Sequence, residues 1–181
     1  MSCLLETERL LLRPPERRDI PALVPLANDY DVAKNLSKLP HPYTAAHGEA
    51  FVAEMQEKRV AGSDFTFAIT LRSDGAFMGC IGLHLKDGSF EFGYWLGQKF
   101  WRQGYATEAA RALVAFAFHD LKAESVWAGW YHDNPRSGHV LTKLGCVPKG
   151  FERRACLARG MDIGCNVVTL SRDAFLGRRA A

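Results

Sequence analysis

Residues 90–118, FEFGYWLGQKFWRQGYATEAARALVAFAF, change period once. Phe90, Phe92 and Tyr94 alternate with Glu91, Gly93 and Trp95 as in a strand. After Gly104 the chain is dense in alanine, leucine, valine and phenylalanine to residue 121, and such all-round apolarity marks a buried helix. A strand that runs through a short loop into a buried helix leaves the first N–H groups of that helix unpartnered, pointing beyond the loop. That is an anion socket. Diphosphate oxygens there meet backbone donors, the positive end of the helix dipole, worth about 0.3–1 kcal/mol, and the charge of Arg102. Gly104 and Ala106 are small enough to let a ligand reach the backbone. The loop is not a P-loop, since no G-K-[ST] follows, and it lacks G-x-G-x-x-G.

The rest of the chain builds a layered domain around this junction. Residues 7–13 predict a first strand, ended by Pro14–Pro15, which cannot continue a ladder. Ile20, Leu23, Val24 and Leu26 predict a helix that Pro21 and Pro25 shorten or kink. Thr44 caps a second helix with Phe51, Val52 and Met55 on one face. Residues 65–71, 77–85 and 90–96 alternate with tight turns between them, a meander whose first strand is expected to be half-buried. After the central helix come a strand at 125–130, a helix opened by Asn134–Pro135 and stopped by Gly145, and strands at 147–152 and 163–170, with a loop over 153–162. The expectation is one domain over 1–181, of the α/β (α+β) class, with about seven strands and four helices.

Composition narrows the function classes. A net charge of +3, from 23 basic and 20 acidic residues, suits an anionic ligand but draws no nucleic-acid surface. The pairs Arg17–Arg18, Arg153–Arg154 and Arg178–Arg179 are too dispersed to form one stripe. Cys3, Cys80, Cys146, Cys156 and Cys165 contain no C-x-x-C pair, so reduced thiols and a cytoplasmic location are expected. No apolar run approaches the ~20 residues of a membrane span.

Chemistry-bearing side chains are few. Ser137, Val140, Leu141 and Leu144 fall at i, i+3, i+4 and i+7, which puts Ser137 on the inward stripe of its helix, where it either completes local capping or meets a ligand. Glu91 lies on the strand entering the loop, opposite in facing to Phe90 and Phe92. It reads as a general base or as a solvated strand carboxylate, and Glu152 reads in the same two ways. Cys146, with His132 and His139 near it in sequence, reads as core filling. Trp127, Trp130 and Tyr131 pack or line a cleft.

Three segments together carry a family resemblance: ETERLLLRP at 6–14, EFGYWLGQKFWRQGYATEA at 91–109 and NPRSGHVLTKLGC at 134–146. In this order they resemble the GNAT superfamily of N-acetyltransferases, in particular its RimJ/RimL-like branch. The resemblance implies a mostly antiparallel sheet splayed where acetyl-CoA binds. It implies backbone contacts to pantetheine from Trp95, Leu96 and Gly97, and a diphosphate site at Arg102, Gln103, Gly104, Tyr105, Ala106 and Thr107. Asn134 is implied as a pantetheine hydrogen-bonder and Ser137 as the hydroxyl near the thioester sulfur. Trp101 departs from the glutamine or arginine often found at its position, a change that backbone contacts tolerate. The implied reaction is direct, metal-free acetyl transfer to a primary amine on a protein N-terminus, an amino acid or a small molecule. A non-catalytic acetyl-CoA sensor is the alternative. Oligomeric state, including a homodimer, is left open.

Overall fold

The computed structural model describes residues 4–177; Cys3 and Arg178–Arg179 lie outside them. Eight strands form one sheet in the order β1-β2-β3-β4-β5-β6-β8-β7. They are β1 (Leu5–Glu6), β2 (Leu10–Arg13), β3 (Phe67–Leu71), β4 (Phe77–Lys86), β5 (Ser89–Leu96), β6 (Ser125–Tyr131), β7 (Val147–Cys156) and β8 (Met161–Ser171). The helices are α1 (Ile20–Ala27), α2 (Tyr30–Ala33), α3 (Ala45–Val60), α4 (Tyr105–His119), α5 (Pro135–Leu144) and α6 (Arg172–Gly177).

The fold class is the expected one, with different counts. The single strand expected at 7–13 is a hairpin, because the Thr7 hydroxyl accepts from the Leu10 N–H at 2.9 Å and closes a turn between β1 and β2. One helix expected at 19–30 is two. Asp29 breaks it and caps α2 by accepting from the Asp31 N–H at 2.9 Å. Thr44 forms a capping box with His47 at the start of α3. β3 is not half-buried: Ala68 and Thr70 are as enclosed as Phe67 and Ile69. The reason is that α1 and α3 cover the face that alternation leaves to solvent. The loop expected at 153–162 is mostly strand, since β7 and β8 stay paired out to Cys156↔Met161 around a short 3-10 turn.

Two features position the site. α4 is buried along Ala109, Ala110, Leu113, Val114 and Ala117 against Phe67, Phe92 and Met78, so its N-terminus is held rigidly against the sheet. Each of those large side chains contributes about 1.5–3 kcal/mol on burial. Neighbouring strands are antiparallel except β5 and β6, which pair in parallel only at Phe90↔Val126 and Glu91↔Trp127. Beyond Glu91 the two strands separate, and the rest of β5 runs along a gap.

Candidate active site

The gap leads to the start of α4. Gly97 donates its N–H to the Met78 carbonyl at 2.9 Å, so that group belongs to the sheet. By strand alternation the main chain of Leu96 and Tyr94 then faces the gap. Trp101 turns its indole N–H onto the Leu96 carbonyl at 2.7 Å and fastens the loop to the strand it leaves. Gly104 caps α4 with φ +83°, a left-handed conformation that glycine adopts without strain. From Arg102 to Thr107 no backbone N–H has an acceptor among the described residues, and Arg102, Gln103 and Gly104 are exposed. The Glu108 N–H is the first to bond back, to Gly104. The expected diphosphate residues therefore form one continuous run of free donors.

Arg9, from the turn between β1 and β2, holds this run in place. Its Nη1 donates to the Gln103 carbonyl at 3.0 Å, its Nε donates to Glu108 at 2.7 Å, and its guanidinium lies 4.4 Å from the Tyr105 ring centre. Glu108 also accepts from the Thr7 hydroxyl at 2.6 Å and from the Arg9 N–H at 2.9 Å. Burial opposes ionisation of Glu108, but these donors outweigh it and hold the carboxyl below its ordinary value. The stability this linkage gives is present above the unfolded carboxylate range and fades as the pH falls through the lower folded value. Arg9→Ala is expected to weaken CoA binding about tenfold while leaving kcat at saturating donor nearly unchanged, since about 1.4 kcal/mol of loop order is lost rather than a reacting group. Titration calorimetry with CoA checks it.

Across the gap, Asn134 occupies the N-cap of α5, yet its side chain makes no capping bond and has no partner among the described residues. Ser137 faces inward, with its Oγ 3.0 Å from the hydroxyl of Tyr94 on β5. Burial pushes the Tyr94 phenol up to about 12, so it stays protonated and can donate to Ser137. That leaves the Ser137 O–H free to point elsewhere. Cys146 is half-buried and packs against the main core.

The opposite face of β5 carries Glu91 and Gly93. Glu91 is paired with Arg154 on β7, whose Nη1 lies 2.5 Å away, and Arg154 also donates to Glu152. The remaining nitrogen of Arg154 is buried and has no hydrogen-bond partner among the described residues. Glu152 itself is exposed. Gly93 is exposed, and a methyl group added to it would meet nothing within 4 Å. These residues lie on an open stretch, hereafter the trough, of the face that α1 and α3 cover further along. Beside it, Trp127 lines a cavity of about 350 Å³ with Lys86, Lys149 and Phe151. Trp130 packs under Gly138 and Tyr131 is buried. His132 meets the Gly164 carbonyl, and His139 is exposed.

The structure thus brings the loop donors, Asn134 and Ser137 around the gap on one face of the sheet and places Glu91 on the other face. Sequence reasoning missed the role of Tyr94, which alternation places only on the face of Phe92, and that of Arg9, which reaches the loop from the distant β1–β2 turn. No group of His, Cys, Asp and Glu among the described residues could hold a metal ion, and no described helix is long and apolar enough to cross a membrane.

A largely antiparallel sheet that opens at a parallel junction beside an unpartnered helix start defines an α/β domain of the acetyltransferase class. The family model described as Acetyltransferase (GNAT) domain matches residues 9–147, and the chain belongs to that family. The N-acetyltransferase YoaA of Bacillus subtilis is 27% identical over 175 residues, covering 92% of this chain and 96% of its own. Among solved structures, a GNAT-family acetyltransferase from Bacillus anthracis aligns with a TM-score of 0.81 at 23% identity over 93% of this chain and 98% of its own. Mycobacterium smegmatis RimJ, solved in complex with CoA-disulfide, aligns at 0.83 and 19% identity over 99% and 93%. These two structures share the fold.

Proposed function

We propose that the chain binds acetyl-CoA and transfers its acetyl group directly to a primary amine within a ternary complex. One observation carries this reading: the free backbone donors from Arg102 to Thr107, at the mouth of a buried helix and beside a splayed strand. They suit a diphosphate, and the gap along Tyr94, Trp95, Leu96 and Gly97 suits a pantetheine arm lying as an added strand. RimJ, bound to a CoA species, shares this fold.

In this reading Asn134 bonds to the pantetheine amide, and a main-chain N–H of the splayed strand polarises the thioester carbonyl. Ser137, with its Oγ held by Tyr94, gives a proton to the departing thiolate. Glu91 draws the acceptor ammonium into the trough, and the orphan nitrogen of Arg154 suits an oxygen carried next to that amine. Acceptors of this description are a protein N-terminus, an amino acid or a small amine bearing a carbonyl.

The test is calorimetry with CoA followed by thiol release against a panel of amines. Binding with acetyl-dependent thiol release is the expected result. Binding without release above hydrolysis leaves a sensor, and no heat at all removes the reading. Ser137→Ala is expected to lower kcat about 10²-fold at saturating acetyl-CoA, the low end of what a lost general acid costs. Tyr94→Phe is expected to lower it severalfold, because it unfastens Ser137 without removing the proton. Full turnover by the serine variant takes Ser137 out of the role.

A further inference from the structure

The trough contains a second titratable constellation that the assignments above leave unused. Asp64, just before β3, is 3% exposed and is paired with Nδ1 of His84 on β4, and it accepts from the Thr66 hydroxyl at 2.6 Å. A buried carboxylate on Nδ1 fixes the tautomer, with the proton on Nδ1 and a lone pair on Nε2. Nε2 has no partner among the described residues, and the His84 side chain is 46% exposed.

The ring is also aimed. A methyl group added to Gly82 would lie 3.2 Å from His84 Cε1 and 2.5 Å from the Thr66 hydroxyl, so the imidazole leans over Gly82 and only glycine leaves it that room. Gly82 pairs with Gly93, the exposed floor of the trough, and His84 pairs with Glu91. Directly opposed residues have Cβ atoms about 5 Å apart. The charged groups around the ring are Asp64 behind it, Glu91 with Arg154 across from it and Lys86 further along its own strand. Glu91 is engaged by Arg154, whereas the outer nitrogen of His84 is free.

We propose that His84, held by Asp64, is the base that deprotonates the acceptor amine, which makes the trough a two-part device: Glu91 draws in the ammonium and His84 Nε2 takes its proton. This inference rests on the acetyl-transfer reading. One proton passes from the ammonium to Nε2 and on to solvent. The freed nitrogen lone pair forms the C–N bond at the thioester carbonyl, and the C–S bond breaks. The thiolate takes a proton from Ser137, which recovers one from solvent, and the surplus amide proton leaves through His84. The net change is one proton released for each ammonium acetylated.

The test uses full-length protein, acetyl-CoA, and a panel of short peptides with free N-termini, free amino acids and alkylamines. His84→Gln keeps a donor to Asp64 but has no second basic nitrogen. It is expected to lose about 10²-fold in kcat/KM for the acceptor near neutral pH, with its Kd for acetyl-CoA unchanged. The deficit is expected to shrink at alkaline pH, where the amine deprotonates unaided. Asp64→Asn, which frees the tautomer, is expected to fall between wild type and His84→Gln. Nitrogen-15 NMR of histidine-labelled wild type is expected to report an Nδ1–H, Nε2-lone-pair ring for His84, a readout independent of turnover and of whether either variant folds. Transfer by His84→Gln within threefold of wild type, or the opposite tautomer in wild type, overturns the inference and leaves acetyl transfer standing. A wild type that transfers to no amine overturns both.

Discussion

Thr107→Glu is expected to raise the thermal stability of the protein slightly and to weaken CoA binding by about 10²-fold or more. Thr107 is the third residue of α4 after its Gly104 N-cap. A carboxylate at that position interacts favourably with the helix dipole, by about 0.3–1 kcal/mol, and can reach back to the N-cap N–H. The donors it satisfies are the free ones that run from Arg102 to Thr107. The substituted side chain therefore fills the cradle proposed for the diphosphate and places a negative charge against an anion. At an effective dielectric near 20, two unit charges about 4 Å apart interact by about 4 kcal/mol, which solvent screening reduces to the two or three that a hundredfold loss requires. The opposite signs of the two effects make the result diagnostic. A folding defect lowers stability and binding together, while a blocked cradle separates them. Differential scanning fluorimetry without ligand and calorimetry with CoA read the two quantities, and CoA affinity within threefold of wild type would sink the diphosphate assignment.

The parts of this site that were legible in the sequence are those encoded within one turn or one strand of themselves. The change of period at Gly104 gives the strand, the loop and the buried helix, and the N-cap and stop signals of α5 give the inward face of Ser137. What was illegible depends on partners far along the chain. Arg9 reads as one charge on the strand expected at 7–13, and only the β1–β2 hairpin and its packing on α4 bring it to Glu108 and the Gln103 carbonyl. Tyr94 reads as one more apolar residue on the inward face, because alternation reports which face a side chain takes and not what its hydroxyl meets. Asp64 and His84 lie on segments joined across the sheet, and nothing in the spacing of either shows the pairing. The edge hairpin misled for a different reason. FERRAC carries charges on both faces, which resembles a loop, but an edge strand leaves most of its side chains in water and its charges are compatible with pairing on one side only.

Gly93→Val is expected to leave folding and CoA affinity intact while lowering kcat/KM for the acceptor by about 10²-fold. Glycine within a strand is unfavourable on backbone entropy, and valine is among the best strand formers, so the substitution should raise stability by up to about 1 kcal/mol. Space permits it, since an added methyl at Gly93 meets nothing within 4 Å. Gly93 points to the same face as Glu91, between that carboxylate and Trp95, and away from the face on which Ser137 meets Tyr94. The cofactor side of the gap is therefore untouched. A branched side chain there stands on the floor over which the acceptor amine must approach, beside the leaning ring of His84. Displacing the reacting nitrogen by about an ångström from its line of attack is enough for the stated loss. The outcome separates two reasons for a glycine at this place. If Gly93 serves only the local packing of β4 against β5, the valine variant acetylates at the wild-type rate. If the trough is the acceptor channel, transfer falls while hydrolysis of acetyl-CoA by water, which needs no room for an amine, stays at its background level. Parallel measurement of thiol release and acetylated product, with and without an amine acceptor, distinguishes these cases, and undiminished transfer would place the acceptor elsewhere on the molecule.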